Sequence, residues 1–233
     1  MTNYENETWA YLVHMFRNPY SAAAIMGNFY IESKMDPGYL QSSYARKLGM
    51  TSAEYTARTD SGEYPAESFI HDSAGYGLAQ WTYWSRKRSL LDYAKEKNKS
   101  VGDLGVQLDF FWEEIQLYKA VFPVLLSATS IQEASDIFAR KYEKPADVSD
   151  TALKRRSDAG QKYYDAFVKS PDEEKMVCVT AKNVNVRVAP GMDSRAICRV
   201  QAGDTFQYFG TNDNGWNGIV LWLHPDFSEV VKK

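Results

Sequence analysis

Glu32 is the residue whose type and position first suggest chemistry. On a helix beginning at Ser21, the positions of Ala22, Ile25, Phe29 and Glu32 fall on one face, so a carboxylate ends an apolar stripe. Partial burial at such a place disfavours the ionised form, and the negative end of the helix dipole acts in the same direction. A general acid working near neutral pH needs both effects. Lys34, Met35, Asp36, Pro37 and Gly38 stop the helix directly afterwards. The position also suits a boundary glutamate that packs its stem and keeps its head in water, and periodicity leaves both readings open.

A second cluster runs through residues 71–82, His-Asp-Ser-Ala-Gly-Tyr-Gly-Leu-Ala-Gln-Trp-Thr. Gly75 and Gly77 permit a tight turn or a close approach of backbone to a ligand. Gln80 offers a donor and acceptors, Tyr76 and Trp81 offer faces for stacking, and Asp72 offers another carboxylate. Those types suit a sugar-binding cleft, although a glycine-rich hairpin with aromatic packing would read the same way. Cleaving a glycosidic bond usually takes two carboxyl groups, one as acid and one as nucleophile or base. Glu32 and Asp72 are the candidate pair, and His71 beside them either tunes the cleft or is structural.

The elements that must position these residues are mostly helical over residues 1–169. The pattern predicts helices over Glu5–Arg17 and from Ala22 to about Glu32, divided by Asn18-Pro19-Tyr20, with Ser21 as a cap. Thr51/Glu54 and Ser130/Glu133 have the spacing of capping boxes. Ser85 opens a further helix, Leu104, Leu108, Phe111 and Ile115 make a one-face stripe, and Asp150–Phe167 forms a last helix. Between Gly62 and Trp84 the helical period disappears. Residues 170–176, acidic and containing Pro171, read as a linker. Over 177–233, Val184/Val186/Val188, Phe206/Tyr208 and Ile219/Leu221/Leu223 alternate, with turns at 189–191 and 212–215, which predicts a small β-barrel.

Composition narrows the classes of function. The 233 residues carry a net charge of −3, which argues against a nucleic-acid partner. No apolar run is long enough for membrane insertion. The first eleven residues carry Glu5 and Glu7 and have no secretory pattern, so the expectation is synthesis in a host cytoplasm without a signal peptide. Three dispersed histidines and two cysteines exclude the usual metal-ligand spacings, and neither a metal nor another cofactor is expected. A thiol nucleophile would need a histidine in reach; only His224 follows Cys178 and Cys198, so both are expected to be buried small hydrophobes. Sixteen tyrosines, eleven phenylalanines and six tryptophans exceed what a core of this size needs, and such side chains stack on sugars or anchor interfaces.

Residues 24–37, Ala-Ile-Met-Gly-Asn-Phe-Tyr-Ile-Glu-Ser-Lys-Met-Asp-Pro, resemble the catalytic-helix signature of the phage tail lysozyme family, a branch of the superfamily holding goose-type lysozymes and lytic transglycosylases. Residues 72–84 resemble its second motif. Gly102-Asp103-Leu104 with Gln107-Leu108, then Tyr142-Glu143-Lys144-Pro145-Ala146-Asp147, then Arg155 to Phe167 continue the likeness in order across nearly all of 7–168. The resemblance implies a cleft enzyme acting on the glycan strands of bacterial peptidoglycan, most simply an N-acetylmuramidase. Glu32 would be its proton donor, Gln80 and nearby backbone would hold the sugar, and Tyr142 would line the far wall. Goose-type enzymes carry an acid just after the position of Gln80, where this chain has Trp81 and Thr82, and their other acid aligns one position from Asp72. Asp72 is therefore the candidate base.

Residues 179–191 are similar to the opening of bacterial SH3-like (SH3b) domains, with Gly203-Asp204, Gly215-Trp216 and Trp222 at the later turn and aromatic positions. That likeness implies a wall-binding module. The fold class expected is α+β: a mostly helical lysozyme-like domain over 1–169, a linker over 170–176 and a small all-β SH3-like barrel over 177–233. The function expected is that of an endolysin cleaving the β-1,4 glycosidic bond. The alternatives are a lytic transglycosylase, an N-acetylglucosaminidase, or a wall-binding tail protein without catalysis.

Overall fold

The computed structural model describes residues 1–168, 176–187, 190–194, 196–211 and 215–219. The chain divides into two compact units, Met1–Val168 and Lys169–Lys233. Helix accounts for 57% of the structure and the few strands are short, compatible with an α+β class.

The first unit is built around a buried helix. Helix α1 (Asn3–Phe16) begins at a capping box in which Thr2 and Glu5 exchange hydrogen bonds. Helix α2 (Pro19–Ser33) follows after two residues. Its cap is Asn18 rather than Ser21: the Asn18 carboxamide oxygen accepts from Tyr20 and Ser21 N–H at 3.0 and 3.3 Å, and Pro19 occupies the first helical position. The break that separates the two helices is thus also the start of the second. From Ser21 to Phe29 every α2 residue is buried, as expected of a helix that is apolar all round.

Two later helices clamp α2. They are α9 (Ile131–Phe138) and α10 (Asp150–Phe167). A Cβ added at Gly27 would lie 2.4 Å from Gly160 N and 2.5 Å from Arg156 O, so α2 and α10 meet backbone to backbone, which glycine alone permits there. The polar residues in this seam are satisfied. Asn28 donates to Ala24 O and to Ser135 Oγ, at 2.9 and 3.0 Å, and accepts from Arg156 Nη1 at 3.0 Å.

The remaining helices are α3 (Ser42–Leu48), α4 (Ser52–Ser61), α5 (Ala66–His71), α6 (Trp84–Glu96), α7 (Leu104–Ile115) and α8 (Phe122–Ser127). Thr51 and Glu54 make both bonds of a capping box. At α9 only half of the box forms: Ser130 Oγ accepts from Glu133 N–H, while Glu133 accepts from Thr129 N–H. Asp103 caps α7 by accepting from Val106 N–H.

The segment without helical period, Gly62 to Trp84, contains α5 and then an irregular hairpin. Tyr76 and Trp81 exchange backbone bonds at 3.2 and 2.9 Å, and Gly75 O accepts from Gln41 N–H. Gln107, fully buried on α7, braces this hairpin. Its Oε1 accepts from Leu78 N–H, and its Nε2 donates to Pro37 O and Val101 O.

In the second unit, strand β1 (Met176–Cys178), β4 (Thr205–Thr211) and β5 (Asn217–Ile219) form an antiparallel sheet with β4 in the middle. Strands β2 (Val184–Arg187) and β3 (Ala196–Val200) pair antiparallel, with Val186 opposite Cys198. Among the described residues these are two separate sheets, without the pairing that would close them into a barrel. Val188, the 212–214 turn, Leu221, Trp222, Leu223 and His224 lie outside the described residues, as does most of the predicted linker. Cys178 and Cys198 are free and exposed, not buried as expected: strands this short in so small a unit do not enclose both faces of the sheets.

Candidate active site

Glu32 stands on the last turn of α2, where Lys34 and Met35 adopt consecutive left-handed conformations (φ 59° and 65°) that turn the chain away. Its carboxylate is 21% exposed and accepts from Arg156 Nη2. Arg156 is itself buried and held by Asn28, one turn earlier on α2. An ion pair and a buried amide therefore fix the glutamate relative to two helices.

Glu32 faces a cleft of about 620 Å³. The cleft is lined by Tyr39 and Gln41, by the hairpin residues Gly75, Ala79, Gln80 and Thr82, and by Glu143, Lys144, Pro145 and Arg156. Gln80 has φ 47°, an uncommon conformation for a residue with a side chain, and its Nε2 donates to Tyr39 O and Gly77 O at 3.1 and 3.0 Å. Those bonds hold the amide at the cleft edge.

Glu143 reaches the cleft because α9 does not end regularly. It runs into a π-helical turn, Ala139–Glu143, closed by Lys144 N–H donating to Ala139 O at 2.8 Å. Such turns re-aim side chains and concentrate at functional sites. Oε1 of Glu143 is shut off from solvent and has no hydrogen-bond partner among the described residues. Burial, and next the charge of Glu32, push its carboxyl well above the ordinary range; Arg86 and Arg156 oppose this without cancelling it.

Behind the wall lies Glu114 of α7. It accepts from Arg86 Nε and Nη2 at 2.6 and 2.8 Å, from Trp81 Nε1 at 3.0 Å and from Tyr142 OH at 2.6 Å. Burial alone would raise its pKa, but the Arg86 bonds, aided by Tyr142 and Trp81, outweigh burial and hold it below the ordinary range.

A family model for the phage tail lysozymes matches residues 3–167. The chain belongs to the phage tail lysozyme family. No curated protein matches it. In this member of a peptidoglycan-lytic family, the structure brings together two of the six site residues nominated by sequence, Glu32 and Gln80. The other four lie elsewhere. Tyr76 is fully buried, its hydroxyl 2.6 Å from Thr56 Oγ1 and its ring packed on Tyr55 and Phe69. Trp81 is fully buried and Tyr142 is 1% exposed, so neither presents a ring face to a sugar.

Asp72 is not among the cleft residues. Its carboxylate, 6% exposed, accepts from Lys87 Nζ at 2.5 Å, Tyr55 OH at 2.5 Å, Tyr64 OH at 3.2 Å and Ala74 N–H at 2.8 Å. Lys87 is fully buried, and burial lowers its pKa against the opposing pull of Asp72.

The cleft also contains two residues that the sequence alone does not single out, Glu143 and Arg156. Arg156 shares the buried face of α10 with Leu153, Gly160 and Tyr163. A cation in that stripe is the same kind of signal that marked Glu32. Glu143 follows Tyr142 in the run that resembled the family, but nothing in its spacing reports that it is unpaired. Among the described residues no group of three metal ligands occurs and no helix is long and apolar enough to cross a membrane.

The Asp72–Lys87 pair makes a direct prediction. Lys87→Met strands a buried carboxylate and should cost about 3–5 kcal/mol of stability. Adding Asp72→Asn should recover most of the loss, as read by urea unfolding of the three proteins.

Proposed function

We propose that this chain hydrolyses the β-1,4 glycosidic bond of peptidoglycan glycan strands as an N-acetylmuramidase, with Glu32 as general acid. The observation that carries the reading is the placement of Glu32 and Gln80 on one cleft, with the carboxylate fixed by Arg156 and open at its mouth. A glycan strand laid along the cleft would bring its scissile oxygen to Glu32, while Gln80 and the adjacent hairpin backbone hold the sugar. Tyr76, Trp81 and Tyr142 support the cleft from behind, and Asp72 secures the hairpin through Lys87 instead of acting as the base.

The distance of Asp72 from these roles favours a second reading, a lytic transglycosylase. Such an enzyme needs one acid/base and closes the muramic acid on itself instead of admitting water. An N-acetylglucosaminidase would use the same cleft with the strand displaced by one sugar.

Mass spectrometry of purified peptidoglycan digested by the wild-type protein and by Glu32→Gln separates these. Reducing-end N-acetylmuramic acid from the wild type alone is the expected result; anhydromuramic ends would assign a transglycosylase, and reducing-end N-acetylglucosamine a glucosaminidase. Equal digestion by both proteins would remove Glu32 from the chemistry.

For Lys169–Lys233 we infer an SH3-like wall-binding role, supported by the motif at 179–191 and the short antiparallel strands. It would raise the enzyme's local concentration at its polymer. Removing residues 177–233 should lower binding to intact walls and leave cleavage of soluble glycan fragments unchanged. Unaltered wall binding would count against the role.

A further inference from the structure

Five ionisable side chains widely separated in sequence meet around the cleft wall: Glu32, Arg86, Glu114, Glu143 and Arg156. Arg86 is engaged by Glu114 and Arg156 by Glu32. Two cations thus face three carboxyl groups, and Glu143 is the one left over. An ionised carboxylate without a partner in such a place is costly, so this cluster retains one proton, and its resting site is Glu143.

The groups that face Glu143 from the neighbouring elements agree with this. Glu32 from α2 and Glu114 from α7 disfavour its ionised form, and Arg86 from α6 and Arg156 from α10 favour it. Tyr118, after α7, is raised above its ordinary range chiefly by burial. Arg140, Lys141 and Lys144, beside Glu143 on its own turn, are exposed. Glu32, meanwhile, is engaged by Arg156 and lines the same cleft as Glu143.

We propose that Glu143 is the proton store for Glu32: the two carboxyl groups share one proton, which rests on Glu143 and reaches the glycosidic oxygen through Glu32. This deepens the reading of Glu32 as general acid and rests on it. The O–H bond of Glu143 breaks as an O–H bond forms on Glu32. Arg156, paired with Glu32 and acting on Glu143, remains the counter-ion for whichever carboxyl is charged. Glu32 then protonates the glycosidic oxygen as the C1–O bond breaks and its electron pair stays on the leaving sugar. In hydrolysis the oxygen of water forms the new bond to C1, and one proton of that water returns to the pair. Nothing is oxidised or reduced. Glu143 acts through Glu32 and is a positioning residue.

Glu143→Gln preserves shape and neutrality but has no acidic proton. Its kcat on soluble peptidoglycan fragments should fall about 100-fold, within the range for lost general-acid assistance, with KM little changed. The alkaline limb of the kcat profile should move toward lower pH. Glu143→Asp, which keeps a titratable group, should restore part of that limb.

A second readout is independent of activity. A carboxyl whose pKa is raised on folding holds its proton in the native state after the unfolded chain has released it, so native stability falls as pH rises across that interval. The melting temperature of Glu143→Gln relative to wild type should therefore increase as pH rises above the ordinary carboxyl range.

Wild-type kcat and pH profile in Glu143→Gln, or a melting-temperature difference that is flat with pH, would overturn the store. Full activity in Glu32→Gln would overturn the site reading instead, while the melting-temperature slope would still report on Glu143 alone.

Discussion

Arg156, a residue 5% exposed, reaches from α10 into the seam with α2, where its guanidinium donates to both Asn28 and Glu32. That contact requires the two helices to touch at Gly27 and Gly160, since any side chain there would push α10 outward and carry the guanidinium away from Glu32. Arg156 is then the direct partner of the Glu32 carboxyl at a partly buried site. A buried ion pair adds little net stability, but stranding one partner costs about 3–5 kcal/mol. The pairing that holds the two helices in register therefore also places the carboxylate in the cleft.

The other wall follows a similar logic. Glu114 gathers Arg86, Trp81 and Tyr142 into one hydrogen-bonded cluster spanning α6, the hairpin, α7 and the π-helical turn. Its four acceptor bonds account for why two large polar-tipped aromatics can be fully enclosed. With Arg86 committed to Glu114 and Arg156 to Glu32, the π-helical turn delivers Glu143 to a place where, among the described residues, it forms no ion pair. The charge state of the cleft is thus a property of the whole cluster.

Much of the helical unit was legible in the sequence because its signals are local. The apolar stripe of α7, the box at Thr51 and the turn after Glu32 each depend on neighbours within four residues. Glu32 stood out for the same reason, as a carboxylate out of place on its own helix. What was not legible depends on partners far along the chain. Asp72 meets Lys87 fifteen residues later and Tyr55 seventeen earlier, which turns a candidate base into an anchored ion pair. Tyr76 and Trp81 have the residue types of a sugar platform, but residue type does not say whether a ring faces ligand or core. The Asn18 cap was hidden because Asn-Pro reads equally as a break. In the second unit the alternation of Val184 and Val186 marked a strand, whereas sheet closure depends on pairings that alternation does not encode.

Site-resolved ¹³C NMR titration of the glutamate side-chain carboxyls in the free, full-length protein tests the account most directly. At neutral pH Glu143 should still carry its proton while Glu114 is ionised, and Glu143 should titrate well above the ordinary carboxyl range. A Glu143 carboxyl already ionised at neutral pH, titrating like an exposed glutamate, would contradict it.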